Sequence, residues 1–484
     1  MADTCLIGID VGTTATKAVL IDARGKNLLE FTRPHATTRP GPGAAEQDPE
    51  AWMDSVLAAL AQFSGQADLS GLAGIGLCSQ VNTHVFVGAD GLALAPAITW
   101  QDTRAAPDAA ALESRVTAAR KTEWFGGPVP IDASHALSRM AYFARTAPDL
   151  YAATRHVLLP KDYCIARLTG EVAADPVAAV GLVDRAGRYV PELLDLVTGA
   201  AGRLPALFPF QHVAGRIRPG LPCAGVPVVV GAMDAWAGMF GCGVVGDGEA
   251  MLQSGTSEVP GIVSSRVVPT PGVVLFSPYQ GIVMHAAPTQ AGGAAFAWLS
   301  RLLGRFPAEL SALAAKVPHD AAIPLFTPHL SGERAPIWDS AARAGFAGID
   351  AAAGPGEMAL AVMEGVAHSV RWAFEALEAS SGGPITLVST GGGGARSDVW
   401  CQLKADVLGK TLRRTFVPDV AALGAAILAG VGSGVFAGLA PAVRGLVGYE
   451  REFTPDPARA PHYAERFMRY RQLYEALRPF GAGN

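Results

Sequence analysis

Asp10 and Asp234 each end an apolar run, LIGID and VPVVVGAMD, where a carboxylate is costly to bury unless it is paired, hydrogen-bonded or bound to a metal. Two readings suit Asp234. It either caps the Ala/Gly-rich segment that follows or takes the proton of an attacking hydroxyl, with Asp10 holding a hydrated Mg2+ opposite. Asp10 and Asp234 are therefore both candidate metal contacts. Beside Asp10 runs the turn Gly12-Thr13-Thr14, and a second Gly/Thr turn, Ser254-Gly255-Thr256-Ser257, comes in the other half of the chain. Such turns converge backbone N–H groups, glycine admits a ligand without a Cβ, and threonine adds a hydroxyl. Thr13, Thr14, Gly255, Thr256 and Ser257 thus suit a phosphate, with Lys17 adding charge. Either turn alone reads more readily as an ordinary hairpin turn, and it is the pair, each near an Asp, that favours the phosphate.

Three further clusters could hold a ligand. Thr390 to Gly394, TGGGG, joins a strand pattern to a helix pattern, which suits close approach of an adenosine as well as flexible linkage. Gln80-Val81-Asn82-Thr83-His84 and Trp100-Gln101-Asp102-Thr103-Arg104 each follow a buried strand. Their amides and carboxylates suit sugar hydroxyls and the indole suits sugar carbons, although both also read as plain polar loops. Two motifs fail on context. Gly241 to Gly246 spells G-x-G-x-x-G in the wrong order of strand and helix, and Gly409-Lys410-Thr411 lacks the P-loop glycine because Lys404 stands in its place.

The elements that must position these residues alternate. LIGIDV (6–11) and KAVLID (17–22) read as strands around the first turn, and EAMLQ (249–253) and VPGIV (259–263) repeat the arrangement around the second. That recurrence suggests two related halves. Residues 51–63 show helical spacing, 72–77 read as a strand, 354–377 as a long helix, 385–389 as a strand, 397–408 as a helix and 461–477 as a closing helix. The class is α/β, with a boundary near 243–248.

The chain has 484 residues, 50% apolar and 17% charged, with net charge -5, so sizeable cores are expected and no basic surface suggests nucleic acid. Six scattered cysteines without a C-x-x-C pair argue against a zinc site or disulfide framework and fit a reducing, cytoplasmic setting. No signal peptide is apparent. Residues 421–443 carry no charge and could span a bilayer, but five glycines and Pro441 read instead as a small-residue helix packed inside a protein. No membrane partner is expected.

The segments LIGIDVGTTATKAVLID, PAITWQDTR, LLPKDYCIARLTGE, GAMDAWAGMFGCG, LQSGTS, HLSGERAPIWDSAARAGFAGI, VMEGVAHSVRWAFEAL and GGGGARSDVWCQLKADVLGK occur in the order seen in FGGY carbohydrate kinases. The chain resembles that family over nearly its whole length, and within it is most similar to the xylulose kinases. The resemblance implies two actin-like, ribonuclease H-like ATPase domains with a central cleft: 1–246 binding sugar, and 247–484 binding nucleotide and ending in the closing helix. It implies ATP and Mg2+ as cofactors and phosphoryl transfer to a ketopentose, D-xylulose giving D-xylulose 5-phosphate, with ribulose, erythritol or glycerol as alternative acceptors. It makes Asp234 the catalytic base and Asp10 the organiser of Mg2+. Thr13, Thr14, Gly255, Thr256 and Ser257 would cradle phosphates, and Gly293, Gly393, Gly394 and Ser397 would line the nucleotide pocket. Gln80, Asn82, Thr83, Trp100 and Asp102, with Val81 between them, would face the sugar. Dimers are common in the family, so a homodimer is compatible with it. The chain departs from the xylulose kinases at Gln80-Val81-Asn82-Thr83, where Gln-Met-His-Gly is usual, and at Ser138, where lysine is frequent; Asp419 replaces the family's common glutamate. A nucleotide-gated regulatory protein on the same fold is the alternative from another class.

Overall fold

The apolar run at the N-terminus forms the strand Cys5–Val11, buried throughout except for the half-buried Asp10. In the computed structural model, which describes residues 3–127, 129–318 and 321–481, this strand is the centre of a six-stranded sheet. On one side it pairs antiparallel with Ala15–Asp22, which pairs antiparallel with Asn27–Pro34. On the other it runs parallel to Leu72–Ser79, itself parallel to Pro227–Met233. Val213–Arg216 completes the far edge antiparallel.

The same plan returns in the second half. Ala250–Ser254 pairs antiparallel with Glu258–Val263, which continues antiparallel to Met284–Ala286, while its other side runs parallel to Leu387–Gly391 and then to Thr411–Thr415. Short edge strands Val274–Leu275 and Tyr449–Phe453 bring this sheet to seven. Each half thus has a three-stranded antiparallel meander followed by two parallel crossover strands. That is the ribonuclease H-like fold of actin-type ATPases, in the α/β class.

Helices cover the sheets where the periodicity places them. Pro49–Gln66 starts with proline behind the Asp48 cap and buries Trp52, Val56, Leu60 and Phe63. Pro355–Ser381 ends at Gly382, whose φ of 69° suits the left-handed C-cap. Asp398–Leu408 is capped by Ser397, and Ala460–Gly481 closes the chain. The edge strand Asn27–Pro34, largely exposed, has no counterpart in the sequence reading.

The chain divides into two compact units: the residues up to Gly241 together with Ala421–Leu446, and Cys242–Val420 together with the residues from Val447 onward. The division therefore differs from a single boundary at 246/247, because one segment returns to the first unit. Its cause is close packing. Paired Gly8 and Gly76 lie under the helix Val420–Gly432, and a Cβ on them would stand 1.8 Å from the Ala422 carbonyl oxygen and 2.0 Å from that of Ala425. Gly424 of that helix in turn meets the Ala237 carbonyl oxygen at 1.8 Å from its would-be Cβ. This explains why residues 421–430 lack charge: they are wholly buried and several of them touch backbone. No helix among the described residues is long and apolar enough to cross a membrane.

Overpacking a tight core typically costs 1–3 kcal/mol, and a backbone clash lies at the upper end. Gly76→Ala should therefore lower stability by about 3 kcal/mol, read as a shifted midpoint in urea unfolding followed by circular dichroism. An unshifted midpoint would show that the helix is free to back away.

Candidate functional site

The first site element is set by strand register. Parallel pairing puts Asp10 opposite Cys78, and Cys78 in turn faces Ala232, two residues before Asp234. The ends of three neighbouring parallel strands thus bring the two carboxylates to either side of one thiol. Cys78 is fully buried and its Sγ donates to Asp10 Oδ1 at 3.6 Å and to the Ala421 carbonyl at 3.4 Å. Burial, and next the charges of Asp10 and Asp234, push this thiol well above its ordinary pKa. Lys17 stands directly across from Asp10 in the antiparallel pair, hence on the same face.

Asp234 is the first residue of the helix Asp234–Gly241, and its Oδ1 accepts from Ala235 N at 2.8 Å. A place at the helix start and a role as base are therefore compatible. Both Asp10 and Asp234 are half-buried rather than sealed from solvent. Among the described residues no three His, Cys, Asp or Glu side chains form a metal cage. Mg2+ does not require one, since it commonly keeps several waters and takes one or two carboxylates plus substrate phosphates, and the pair here fits that donor set.

A polar network starts at the same strand ends. Gln80 Nε2 donates to Gln47 Oε1 at 2.8 Å, and Gln47 Nε2 donates to the Thr13 carbonyl at 2.7 Å. Thr83 Oγ1 donates to Gln80 Oε1 at 3.1 Å and accepts from Trp100 N at 3.1 Å. Trp100 Nε1 donates to Thr13 Oγ1 at 3.1 Å, which leaves the threonine proton to donate elsewhere. The structure thus joins Gln80, Thr83 and Trp100 to the first Gly/Thr turn. Thr14 is exposed and Val81 half-buried. Asp102 is buried within its own loop, accepting from Ala45 N at 2.8 Å and from the Arg104 guanidinium at 2.8 Å.

In the second unit three glycine segments meet. Gly293 N donates to the Gly255 carbonyl at 2.9 Å, and Gly292 N and Ala294 N both donate to that of Thr256 at 3.0 Å. Gly392, with φ of 99°, lies so near Ser254 that a Cβ would stand 2.3 Å from its carbonyl oxygen, and Gly394 would meet the Ser254 Cβ at 3.1 Å. Gly255, Thr256, Ser257, Gly293 and Gly394 therefore converge around one turn; Gly393 is exposed beside it. Ser397 is tied down instead, accepting from Trp400 N at 3.3 Å and lying 3.0 Å from Ser311 Oγ. A cavity of about 240 Å³ opens beside the cluster, lined by Gly391, Gly392, Arg396, Arg414 and Phe416.

Two cations of this half-site are absent from the sequence reading. Arg334 Nη2 donates to Ser257 Oγ at 3.3 Å and to the Thr289 carbonyl at 2.6 Å. Lys404, buried on the helix after the glycine cluster, donates to Ser254 Oγ at 2.7 Å and Glu258 Oε1 at 2.6 Å, while Ser254 Oγ donates to Glu258 Oε2 at 2.5 Å. One ammonium thus pins both ends of the turn. The SGERAPIWD motif carried the signal for Arg334; Lys404 was visible only as the residue that spoils a P-loop.

Comparison with known proteins places the chain among sugar kinases. Residues 5–241 match the N-terminal domain model, and residues 250–433 the C-terminal domain model, of the FGGY family of carbohydrate kinases. The xylulose kinase of Escherichia coli (strain K12) is 32% identical, over 98% of this chain and 100% of its own. Among solved structures, a "xyloylose kinase" from Brucella ovis superposes with a TM-score of 0.85 at 29% identity, covering 98% of this chain and 100% of that one. A gluconate kinase from Lactobacillus acidophilus also reaches a TM-score of 0.85, at 25% identity over 100% and 99% of the two chains.

Removing one partner of a buried ion pair costs far more than removing both. Lys404→Met should lower stability by about 3–5 kcal/mol, and adding Glu258→Gln should recover most of that loss. Thermal unfolding of the two variants checks this, and equal losses would mean that the pair carries no buried charge balance.

Proposed function

Because the chain belongs to the FGGY family of carbohydrate kinases, we propose that it transfers the γ-phosphoryl group of ATP to D-xylulose, giving D-xylulose 5-phosphate and ADP. The observation that carries the chemistry is the placement of Asp10 and Asp234 on either side of Cys78 by three parallel strands. In the reaction the acceptor oxygen bonds to the γ-phosphorus, the bridge from that phosphorus to the β-phosphate oxygen breaks, and the hydroxyl proton passes to Asp234. A general base of this kind contributes about 10² to 10⁴ in rate.

Phosphoryl transfer is mainly alignment and charge neutralisation. The N–H groups and hydroxyls of the turns at Thr13-Thr14 and Gly255-Thr256-Ser257 suit phosphate oxygens, and Lys17 and Arg334 bring positive charge near them. Bound Mg2+ would supply further neutralisation, with Asp10 and Asp234 as its protein contacts. The network of Gln80, Thr83 and Trp100 offers amide, hydroxyl and indole groups to a polyol.

A second acceptor reading is supported by the departures at Val81-Asn82-Thr83 and Ser138, which fall in the proposed sugar half. Ribulose, erythritol and glycerol are the alternatives. Turnover measured by coupled ADP release across pentuloses, tetritols and glycerol separates them: the highest kcat/KM for D-xylulose is expected, and preference for another polyol would replace it as the acceptor.

Asp234→Asn should lower kcat by about 10² to 10⁴ while ADP still binds in calorimetry. Turnover within a few-fold of the parent would remove Asp234 from the role of base.

A further inference from the structure

Arg139 sits on the helix Ala136–Thr146, wholly buried, and takes no part in the chemistry above. Its Nη1 donates to the carbonyl oxygens of Asn82 and Ile98, the latter at 2.9 Å, and to Nδ1 of His84 at 2.8 Å; its Nη2 donates to the carbonyl oxygen of Thr99. These acceptors belong to two loops distant in sequence. One carries Asn82 and Thr83, and the other leads directly into Trp100. His84 and Ile98 exchange backbone hydrogen bonds of 3.0 and 3.1 Å, so the loops form one ribbon with the guanidinium clipped to it.

The ribbon is held in a demanding shape. Asn82 has φ of 55°, a left-handed conformation that is unfavourable for most non-glycine residues and somewhat less so for asparagine. Its carbonyl is fixed by Arg139 and its Nδ2 donates to Ser134 Oγ at 3.2 Å. A buried cation is itself expensive, and burial draws this guanidinium down to about 9, with Asp102 and Asp132 opposing the fall through space. The acceptors named above are all neutral. Lysine cannot replace such a residue by charge alone, because a planar fork reaches several carbonyls in one plane and an ammonium does not.

We propose that Arg139 is a positioning residue for the acceptor, which sets sugar specificity by fixing the backbone at 82–84 and 98–99 and so the placement of Asn82, Thr83 and Trp100. This rests on the sugar-kinase reading. The expected effect is selective: loosened loops weaken acceptor binding without touching the nucleotide turns.

Steady-state kinetics of the full chain with ATP and Mg2+ test it with Arg139→Lys and Arg139→Met. In both, KM for D-xylulose should rise about ten-fold or more, KM for ATP should stay within about two-fold, and the ratio of kcat/KM for D-xylulose over ribulose should fall. Arg139→Lys should perform no better than Arg139→Met. Parallel changes in both KM values, an unchanged KM for D-xylulose, or full rescue by lysine would overturn the proposal. If neither variant folds, Ser134→Ala keeps Arg139 and removes the side-chain tether of Asn82, together with the Ser134 hydroxyl's own bond to Asp132. A few-fold rise in KM for D-xylulose supports the proposal there, and an unchanged one overturns it. A parent chain that phosphorylates no D-xylulose refutes the acceptor reading instead, and the same split is then measured on the polyol it does phosphorylate.

Discussion

Two carboxylates held near one another repel, and that repulsion must be met by the fold before any chemistry can use it. Here the opposing constraint is strand register: Asp10, Cys78 and the residue two before Asp234 are aligned by parallel pairing across three strands. A slip of one residue would turn a carboxylate to the opposite face. The sheet is in turn fixed from above, because Gly8 and Gly76 admit the helix Val420–Gly432 to direct contact with their backbone. A segment some 340 positions downstream of Cys78 thus provides the carbonyl of Ala421 that shares its thiol proton with Asp10.

The two halves repeat one hairpin but surround it with different side chains. At the first turn the strand ends carry Asp10 with Lys17 directly across from it, and Asp234 follows two strands away, set among amides and hydroxyls from Gln47, Gln80 and Thr83. At the second turn they include Arg334 and the Lys404–Glu258 pair. A carboxylate suits a proton and a metal ion, whereas a cation suits phosphate oxygens, so a duplicated fold can divide one reaction into unlike tasks. Fold repetition alone would not give this difference; it lies in a few side chains beside each turn.

Much of this was legible in the residues. The strands flanking both turns, the helices 49–66, 355–381 and 398–408 and the carboxylates at the strand ends follow from periodicity and from charge placed among apolar residues. The return of Ala421–Leu446 to the first unit was not, since a run of small apolar residues shows that something approaches closely but not which sheet it is. The part Asp102 and Ser397 play was not legible, because a polar residue after a strand or at a helix start has the same local signature whether it meets a ligand or protein backbone. The partner of Lys404 was illegible for the converse reason: a lysine inside an amphipathic helix carries no local sign of a buried carboxylate 146 positions away.

The buried cations share a logic that hydrophobic packing cannot provide. Lys161 is fully buried with Asp162 at 2.6 Å and Asp175 at 2.9 Å, and its Nζ also donates at 3.2 Å to the Val230 carbonyl, on the strand that ends at Asp234. Burial pushes Asp162 up to about 6 even against this lysine, so the group adds little net stability of its own. What it adds is direction. An apolar side chain in its place could slide against its neighbours at small cost, whereas an ammonium displaced by an ångström leaves carboxylates unpaired in a dry interior. Lys161 beside the Asp234 strand, Arg139 beneath the 82–84 and 98–99 loops and Lys404 at the 254–258 turn each grip segments remote in sequence. Within each unit charge thus fixes direction, while glycine contacts set how closely segments approach.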